Sequence, residues 1–389
     1  MNSKQMAISV LIMLLLASLM VILLTNPLAA GTLGQEANLN PLGEVHELFR
    51  DDQGILWISD YLAAEIWRVD PAGGAYTIYG NLDGASDGRV DSNGHLWWSD
   101  FDGNALGRLI PGASQATIWS LPGFGGPLGI AFDDAGQVWI ADVFETNLYR
   151  FDPASTELCI YNLPDGGSAD YVLYEAGHIW FGDTVLGRIG YFNPSDGTFS
   201  VWQLLEGSIP QGLALDPAGQ IWWADLGLGA LGRIDTQGNQ VTYFAVPPTD
   251  EVIAEPVGIA IDGGEIWYTN YSGSFGLLDP TSAEGDTSLL LPANSLGSPD
   301  CSILGNGTAV DISEKSGSLT WENAAYNRVV NEGGWQIYDL PEGAAPWGIA
   351  VNSGNVWFND QGTADLREPK LGWMVLTNPK VFLPAIIGD

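Results

Sequence analysis

Short runs of apolar residues, separated by turns rich in glycine and proline, recur along the chain from residue 42 onwards. In one representative unit, residues 211–216, 221–224, 231–235 and 241–246 form four such runs within about forty residues. Runs of this length, rich in branched and aromatic residues, are typical of β-strands. Four of them in succession predict one small antiparallel sheet.

A single phrase, Gly-x-(Ile/Leu/Val)-Trp-x-x-(Asp/Asn), marks the second strand of these units. Its copies begin at Gly54, Gly94, Gly136, Gly177, Gly219, Gly264 and Gly354, and a weaker copy begins at Gly317. A period near forty residues with strand-like runs predicts a β-propeller of four-stranded antiparallel blades. We count eight repeat units. Seven blades are the alternative if the weak unit at 293–341 is not a blade.

The tryptophan of each phrase is expected to pack between neighbouring blades. These residues are Trp57, Trp97, Trp139, Trp180, Trp222, Trp267 and Trp357. A buried tryptophan removes roughly 150–250 Å² from water, so the column is first a packing device. No strand is left over at a chain end, so we expect the ring to close by packing of the last unit on the first.

The N-terminal segment differs from the repeats. Residues 1–30 carry Lys4, then an apolar run over 7–24, and then Ala29-Ala30-Gly31. This pattern predicts a secretory signal, or an N-terminal membrane anchor if the segment is not cleaved. A short lead at 31–41 and a single propeller domain at 42–389 follow. We therefore expect a secreted or extracytoplasmic protein that touches a membrane only through an uncleaved segment.

Composition narrows the possible partners. The chain has 47 acidic against 13 basic residues, a formal net charge of -34, which disfavours nucleic-acid binding. The two cysteines, Cys159 and Cys301, fall in the third and seventh units, which a ring would place far apart. Their pairing is therefore expected to be improbable.

The predicted binding face is the one on which second strands end and first strands begin. Its candidate residues are the strand-end aspartates Asp100, Asp142, Asp183, Asp225 and Asp360, and the loop glutamates Glu206, Glu255 and Glu342. An arginine eight residues later, as in Asp100 and Arg108, suggests a cross-strand ion pair, so a structural role is favoured for each aspartate. The loop glutamates break the repeat and are better candidates for binding.

Such an acidic mouth would attract Ca²⁺ or Mg²⁺, although the sequence does not define a ligand set. The chain has three histidines, His46, His95 and His178, and no two of them are spaced as a metal-binding pair. His95 and His178 lie in turns at the opposite end of their strands. We assign no catalytic residue.

Several stretches resemble the virginiamycin B lyase (streptogramin lyase) family over residues 44–387. They are Pro127 to Asp133 followed by Gly136 to Trp139, Pro256 to Ala260, Pro346 to Ala350, and Leu106 to Leu109. The resemblance implies seven blades and a metal-assisted site where histidine and acidic side chains open the ester-linked ring of a cyclic peptide antibiotic by elimination. That family's catalytic histidine has no counterpart on the predicted face.

The expected function is therefore that of an exported ligand-binding or scaffold propeller with an acidic face. Its partner would be a small molecule, a peptide or another extracellular molecule, and the sequence does not say which. A calcium-dependent lactonase- or hydrolase-like enzyme is one alternative, since gluconolactonase-like propellers hold calcium with acid and amide side chains. A divergent streptogramin B lyase is the other.

Overall fold

The computed structural model describes residues 32–38, 45–235, 240–249, 254–319, 321–361 and 370–375. These residues form 34 strands and one 3₁₀ turn, at Pro164–Gly166. Within them, no helix has the length and apolar character needed to cross a bilayer. Residues 1–30 lie outside the described part, so the signal or anchor at the N-terminus stays a prediction.

After β1 (Thr32–Asn38), each of the first five blades takes four consecutive strands from the chain. Blade 1 comprises β2 (Val45–Arg50), β3 (Leu56–Asp60), β4 (Glu65–Val69) and β5 (Ala75–Gly80). Blade 2 comprises β6 (Ala85–Val90), β7 (Leu96–Asp100), β8 (Ala105–Leu109) and β9 (Gln115–Ser120). Blade 3 comprises β10 (Pro127–Phe132), β11 (Val138–Asp142), β12 (Asn147–Phe151) and β13 (Glu157–Asn162).

The next two blades follow the same order. Blade 4 comprises β14 (Ala169–Glu175), β15 (His178–Asp183), β16 (Arg188–Asn193) and β17 (Thr198–Gln203). Blade 5 comprises β18 (Pro210–Leu215), β19 (Ile221–Asp225), β20 (Ala230–Ile234) and β21 (Gln240–Ala245). Each first strand lies innermost and begins at the face where the paired second strand ends, as in Pro210 opposite Asp225.

Blade 6 is interrupted. Its first three strands are β22 (Pro256–Asp262), β23 (Glu265–Asn270) and β24 (Ser274–Leu278). Residues 279–334, which we call the belt, come before its fourth strand. They contain β25 (Asp286–Leu289), β26 (Ala293–Leu296), β27 (Asp300–Ile303), β28 (Thr308–Asp311), β29 (Ser313–Ser318) and β30 (Trp321–Glu332). Then β31 (Trp335–Asp339) pairs with β24 and completes the blade.

The belt runs around the outside of the propeller against the order of the blades. Strands β25, β26, β27, β28 and β29 pair in turn with the outer strands of blades 5, 4, 3, 2 and 1. The long strand β30 then pairs with β1 through residues 321–326 and with β31 through residues 327–332. Each blade thereby gains a fifth strand, and the outer edges of the sheets are covered.

Blade 7 closes the ring with a strand from the other end of the chain. It comprises β32 (Pro346–Asn352), β33 (Asn355–Asp360), β34 (Lys370–Val375) and, outside β34, the N-terminal strand β1. The expectation that no terminal strand would complete a blade is wrong. Strand pairing, in addition to packing, holds the first and last parts of the described chain together.

The structure confirms a propeller and gives seven blades, so the count of eight is wrong and the alternative of seven is correct. The weak unit at 293–341 instead forms most of the belt and the fourth strand of blade 6. The seven repeat tryptophans are buried as predicted, each at most 5 % exposed. They pack in apolar clusters that lie between neighbouring blades.

The expected separation of the cysteines is also wrong. Cys159 in β13 lies directly opposite Cys301 in β27, with their Cα atoms 4.1 Å apart, and the two form a disulfide. Cys301 belongs to the belt rather than to a seventh blade, so the belt carries it back to blade 3. The disulfide therefore ties the belt to the propeller.

In blade 2 the arginine eight residues after the strand-end aspartate does not face that aspartate, whereas in blade 4 the third-strand Arg188 does pair with Asp183. Register places Arg108 opposite Trp97, whereas Asp100 lies opposite Ala105. The Arg108 guanidinium lies 5.2 Å from the centre of the Trp97 ring. The arginines of blades 1 and 5 lie over their own tryptophans in the same way. Cation–π contact therefore replaces the expected cross-strand ion pair.

Candidate functional site

The mouth face is the face on which first strands begin and second strands end. The five predicted strand-end aspartates lie there, but they are buried, with exposures of 0 to 8 %. Their carboxylates bind the loops of their own blades. Asp142, for example, accepts hydrogen bonds from the backbone N–H groups of Gly126, Phe144 and Glu145, and from the hydroxyl of Tyr149.

The same arrangement recurs in the other blades. Asp100 accepts from Gly103 N at 2.7 Å, and Asp360 accepts from Ala345 N at 2.7 Å. Asp225 accepts from Ile209 N and Leu228 N, and Asp183 accepts from Ser168 N and Leu186 N. Their burial favours the structural explanation, because a ligand could bind these oxygens only by displacing bonds that hold the loops.

The three loop glutamates are placed differently. Glu206 and Glu342 are exposed, and Glu255 is half-buried. Burial raises the pKa of Glu255. The glutamates precede the first strands of blades 5, 6 and 7, so they stand at successive positions around the mouth. They remain binding candidates, since their side chains are accessible to a ligand.

Among the described residues of the mouth face, no three carboxylate or imidazole groups converge within ligand distance of one another. Calcium takes six to eight oxygen ligands, and several carboxylates must converge to supply them. Among the described residues, the one group of three potential ligand atoms within 4.8 Å is Glu157, Cys159 and Cys301. Its two sulfurs are already bonded to each other. Metal binding therefore stays a prediction from the sequence. Two further acids in the loop before blade 6, Asp250 and Glu251, lie outside the described residues.

His95 and His178 lie at the far end of their blades from the mouth face, as predicted. His95 precedes β7 and contacts Asp91 at 3.2 Å in the hairpin at the far end of the blade. His178 begins β15, whose other end reaches the mouth face, and its ring packs against Tyr191. The side chain of His46 is outside the described part. No described histidine therefore reaches the mouth.

An aromatic surface on the mouth face was not predicted. An aromatic residue lies one or two positions after the strand-end aspartate in each of blades 1 to 3. These residues are Tyr61, Phe101 and Phe144. The ring centres of Tyr61 and Phe101 are 6.3 Å apart, and those of Phe101 and Phe144 are 5.4 Å apart. Phe124, in the loop between blades 2 and 3, is 79 % exposed. We call these four residues the aromatic arc.

Gly126 explains how two rings of the arc meet. A Cβ atom at this position would lie 2.7 Å from the Phe144 ring and 2.9 Å from the Phe101 ring, so only glycine leaves room for both. The side chain of Glu145 accepts a hydrogen bond from Phe124 N at 3.1 Å. The arc is thus held by its loops and has carboxylates beside it.

The charge around the arc is negative. Asp83 and Asp102 are exposed on the same face, and burial together with these two carboxylates raises the pKa of Asp100 to about 6. Among the described side chains, Arg188 on this face is buried and ion-paired with Asp183 at 2.6 Å, and Lys315 at its outer edge is ion-paired with Glu65 at 3.2 Å. The accessible mouth therefore combines apolar rings with carboxylates.

A second concave feature is the central channel, a cavity of about 300 Å³ lined by first strands. In blades 3, 5, 6 and 7 the third residue of the first strand is glycine. In blades 1, 2 and 4 the same position is Glu47, Asp87 and Tyr171. These side chains line the channel together with Arg89, and we call the four residues the channel cluster.

Burial raises the pKa values of the acidic groups in the channel cluster. The pKa of Glu47 rises to about 8, first through burial and then through repulsion from Asp87, against the attraction of Arg89. Burial also raises the pKa of Asp87, although Arg89 opposes it. Burial and the neighbouring carboxylates raise the pKa of Tyr171 well above its ordinary value. At neutral pH the Glu47 carboxyl therefore holds its proton.

Both features have a signal in the sequence that the repeat pattern alone does not show. The arc can be recognised when the residues just after each strand-end aspartate are compared between the repeats. The channel cluster follows from aligning the first strands, where three blades depart from the Pro-x-Gly pattern. Departures from a repeat on an inner strand are as informative as those in loops.

A sequence profile described as the Virginiamycin B lyase family matches residues 48–320. No curated protein sequence matches the chain. Among solved structures, a catalytically inactive virginiamycin B lyase from Staphylococcus aureus with quinupristin is 19 % identical, with a TM-score of 0.66. That alignment covers 88 % of this chain and 99 % of the lyase.

Two further structures are similar in fold. A streptogramin B lyase is 20 % identical with a TM-score of 0.67, over 89 % of this chain and 98 % of the lyase. The extracellular domain of the putative one-component system BT4673 from B. thetaiotaomicron is 14 % identical with a TM-score of 0.51, over 89 % of this chain and 44 % of that one. At these identities the likeness supports the fold alone.

Proposed function

Since the chain belongs to the virginiamycin B lyase family, we propose that it is an exported ligand-binding propeller. Its mouth face would hold a cationic, partly apolar, peptide-like ligand. The aromatic arc is the observation that carries this proposal. Four aromatic rings on one face, one of them 79 % exposed, form an apolar contact surface that the packing of the blades does not require.

Charge complementarity supports a positive ligand. The carboxylates of Asp83, Asp102 and Glu145 flank the arc, and the chain as a whole carries a formal charge of -34. Such a field concentrates cations at the mouth and repels anions. Aromatic faces also attract ammonium and guanidinium groups, so the rings and the carboxylates favour the same class of ligand.

The disulfide supports export. Disulfides persist in oxidising compartments and are rare in a reducing cytosol. Cys159 and Cys301 are paired here, and the predicted N-terminal signal leads to the same conclusion. The related lyase solved with quinupristin supports a small ligand over a large protein partner.

The two enzyme alternatives require specific catalytic or metal-binding groups on the mouth face. A calcium-dependent lactonase or hydrolase requires converging oxygen ligands, and a divergent lyase requires a base beside a metal. The described residues there supply neither three carboxylates within ligand distance nor a histidine. We therefore propose binding, with a magnesium- or calcium-dependent activity as the alternative to be tested.

A set of matched peptides tests the proposal. The probe is a labelled hexapeptide of alternating lysine and tryptophan. Two control peptides replace either its lysines by glutamate or its tryptophans by alanine. Fluorescence anisotropy with residues 31–389 should detect the lysine–tryptophan peptide, with affinity falling as salt rises. Both control peptides should bind at least tenfold more weakly.

Variants locate the site. Phe124→Ala with Phe144→Ala should weaken binding at least tenfold, because both rings are accessible on the arc. Leu296→Ala removes a side chain that is 83 % exposed on the belt and should leave affinity unchanged. Equal binding of the glutamate peptide, or unchanged binding by the arc variant, would refute the proposal.

A further inference from the structure

The channel cluster is separate from the aromatic arc and has its own cavity. We propose that the central channel is a second binding site, for the ammonium group of a primary alkylamine held beside Glu47 and Asp87. The alkyl chain would lie on the opposite side of the channel, near Leu213 and Ile259. This inference does not rest on the function proposed for the mouth face.

Arg89 hydrogen-bonds one acid of the cluster and lies farther from the other. Arg89 Nη1 donates to Asp87 Oδ1 at 2.5 Å and to Gly88 O at 2.7 Å. Its Nη2 lies 4.0 Å from Glu47 Oε1, which is too long for a hydrogen bond. Asp87 and Arg89 therefore balance each other, and Glu47 is the remaining acid.

The geometry also leaves Glu47 accessible from the cavity. Its side chain is 19 % exposed, whereas that of Asp87 is 5 % exposed and also accepts a bond from Ile130 N at 3.0 Å. Glu47 belongs to the innermost strand of blade 1, two residues below the mouth face, about 7 Å at 3.3 Å per residue. Asp87 and Tyr171 lie at the same depth on their strands, so Glu47 differs from Asp87 in its greater exposure to the cavity.

A monovalent ammonium fits this set of oxygens better than a divalent metal. The cluster offers two carboxylates and the Tyr171 hydroxyl, but both Asp87 oxygens already accept hydrogen bonds and Tyr171 is hydrogen-bonded to Trp347. Calcium would need six to eight oxygens and would meet the Arg89 guanidinium. An ammonium group has three donors and needs only a few acceptors.

The opposite wall explains the alkyl chain. Blades 5, 6 and 7 contribute Leu213 and Ile259 to the lining, beside the backbone of Gly212, Gly258 and Gly348. Trp347 adds an aromatic ring near the mouth. A cavity of about 300 Å³ lies within the range of small-molecule sites, and an amine of about five carbons would place its apolar part on this wall.

Proton release gives the site a distinctive signature. The groups that face Glu47 are Asp87 and Arg89 from blade 2 and Tyr171 from blade 4. With a pKa of about 8, Glu47 is mostly protonated at pH 7, and a bound ammonium favours its ionised form. Binding should therefore release close to one proton per ligand.

The test uses isothermal titration calorimetry with pentylamine, pentanol and pentanoate at pH 7, each in two buffers of different ionisation enthalpy. Pentylamine should bind at least tenfold more tightly than the other two and release close to one proton. Equal binding of pentanol would mean that the channel is only an apolar cavity. Tighter binding of pentanoate would mean that Arg89 defines an anion site. Either result overturns the proposal.

Glu47→Gln is the informative variant, because glutamine resembles the protonated glutamate of the free protein and should fold normally. It should bind pentylamine at least tenfold more weakly and release no proton. Glu284→Gln, at an exposed position on the belt, is the matched control and should behave like the wild type, as should the arc variant. Unchanged binding and proton release by Glu47→Gln would also overturn the proposal.

Discussion

The Asp51 carboxylate accepts a hydrogen bond from the indole Nε1 of Trp57 at 2.8 Å, and its other oxygen caps the hairpin between them. Blades 2, 3 and 5 repeat this relationship six residues apart, at Asp91, Asp133 and Asp216. One side chain thus satisfies a buried indole and shapes the turn. The repeated phrase is explained by this bond as well as by packing.

Removal of that carboxylate should be costly. Asp51→Ala leaves a buried indole N–H without its acceptor and breaks two backbone contacts, so we expect a loss of about 2–4 kcal/mol in the free energy of unfolding. Urea titration followed by tryptophan fluorescence measures it. Asp52→Ala, at the exposed neighbouring position, is the control and should cost less than about 0.5 kcal/mol. Equal losses would contradict this role for Asp51.

The disulfide should stabilise the belt. Cys159 and Cys301 are 142 residues apart, so their bond restricts a large loop in the unfolded chain. Replacing both by serine should lower the free energy of unfolding by about 2–5 kcal/mol. Guanidinium unfolding without reductant compares the variant with the wild type. In reductant, the unfolding midpoint of the wild type should move towards that of the variant. Identical midpoints of the two proteins without reductant would exclude a stabilising role for the disulfide.

Strand β1 should be needed for ring closure. Glu36 lies between Glu322 in β30 and Gly372 in β34. Glu36→Pro removes a ladder N–H and should speed amide exchange in β30 and β34, while blades 2 to 4 stay protected. Hydrogen exchange read by mass spectrometry localises the change. Glu36→Ala keeps the N–H and should resemble the wild type. Uniform exchange in the proline variant would contradict the prediction.

Asp100 should make stability depend on pH. Its pKa of about 6 exceeds the value of 3.8 expected in the unfolded chain, so the native form holds the proton more tightly. Stability should therefore fall as pH rises between about pH 4 and pH 6, by up to about 3 kcal/mol. Asp100→Asn cannot ionise, so the difference from the wild type should favour the variant increasingly over this range. A difference independent of pH would contradict the assignment.

The chain is expected to leave a B-type streptogramin intact. Proton removal needs a base within about 2.6–3.2 Å of the substrate, and His95 and His178 lie at the far end of their strands, roughly 15 Å away. Incubation with quinupristin and magnesium, followed by chromatography, tests this. Virginiamycin B lyase from Staphylococcus aureus is the positive control. Ring opening by this chain would refute the prediction and favour the lyase alternative.

The candidate site was predicted only in part. The sequence placed acidic residues on the mouth face because strand order dictates which ends share a face. It did not separate aspartates such as Asp142, whose carboxylate binds its own loop, from accessible acids such as Glu206. That distinction depends on how each loop folds back over its strand, which local composition does not specify.

The sequence by itself determined the blades and their buried tryptophans, because strand periodicity, turn residues and the Asp–Trp spacing act within about forty residues. Only the tertiary structure decided the number of blades, the path of the belt, the pairing of Cys159 with Cys301 and the meeting of Glu47 with Arg89. These contacts join residues far apart in the chain. Their formation depends on how the ring closes, which no local pattern encodes.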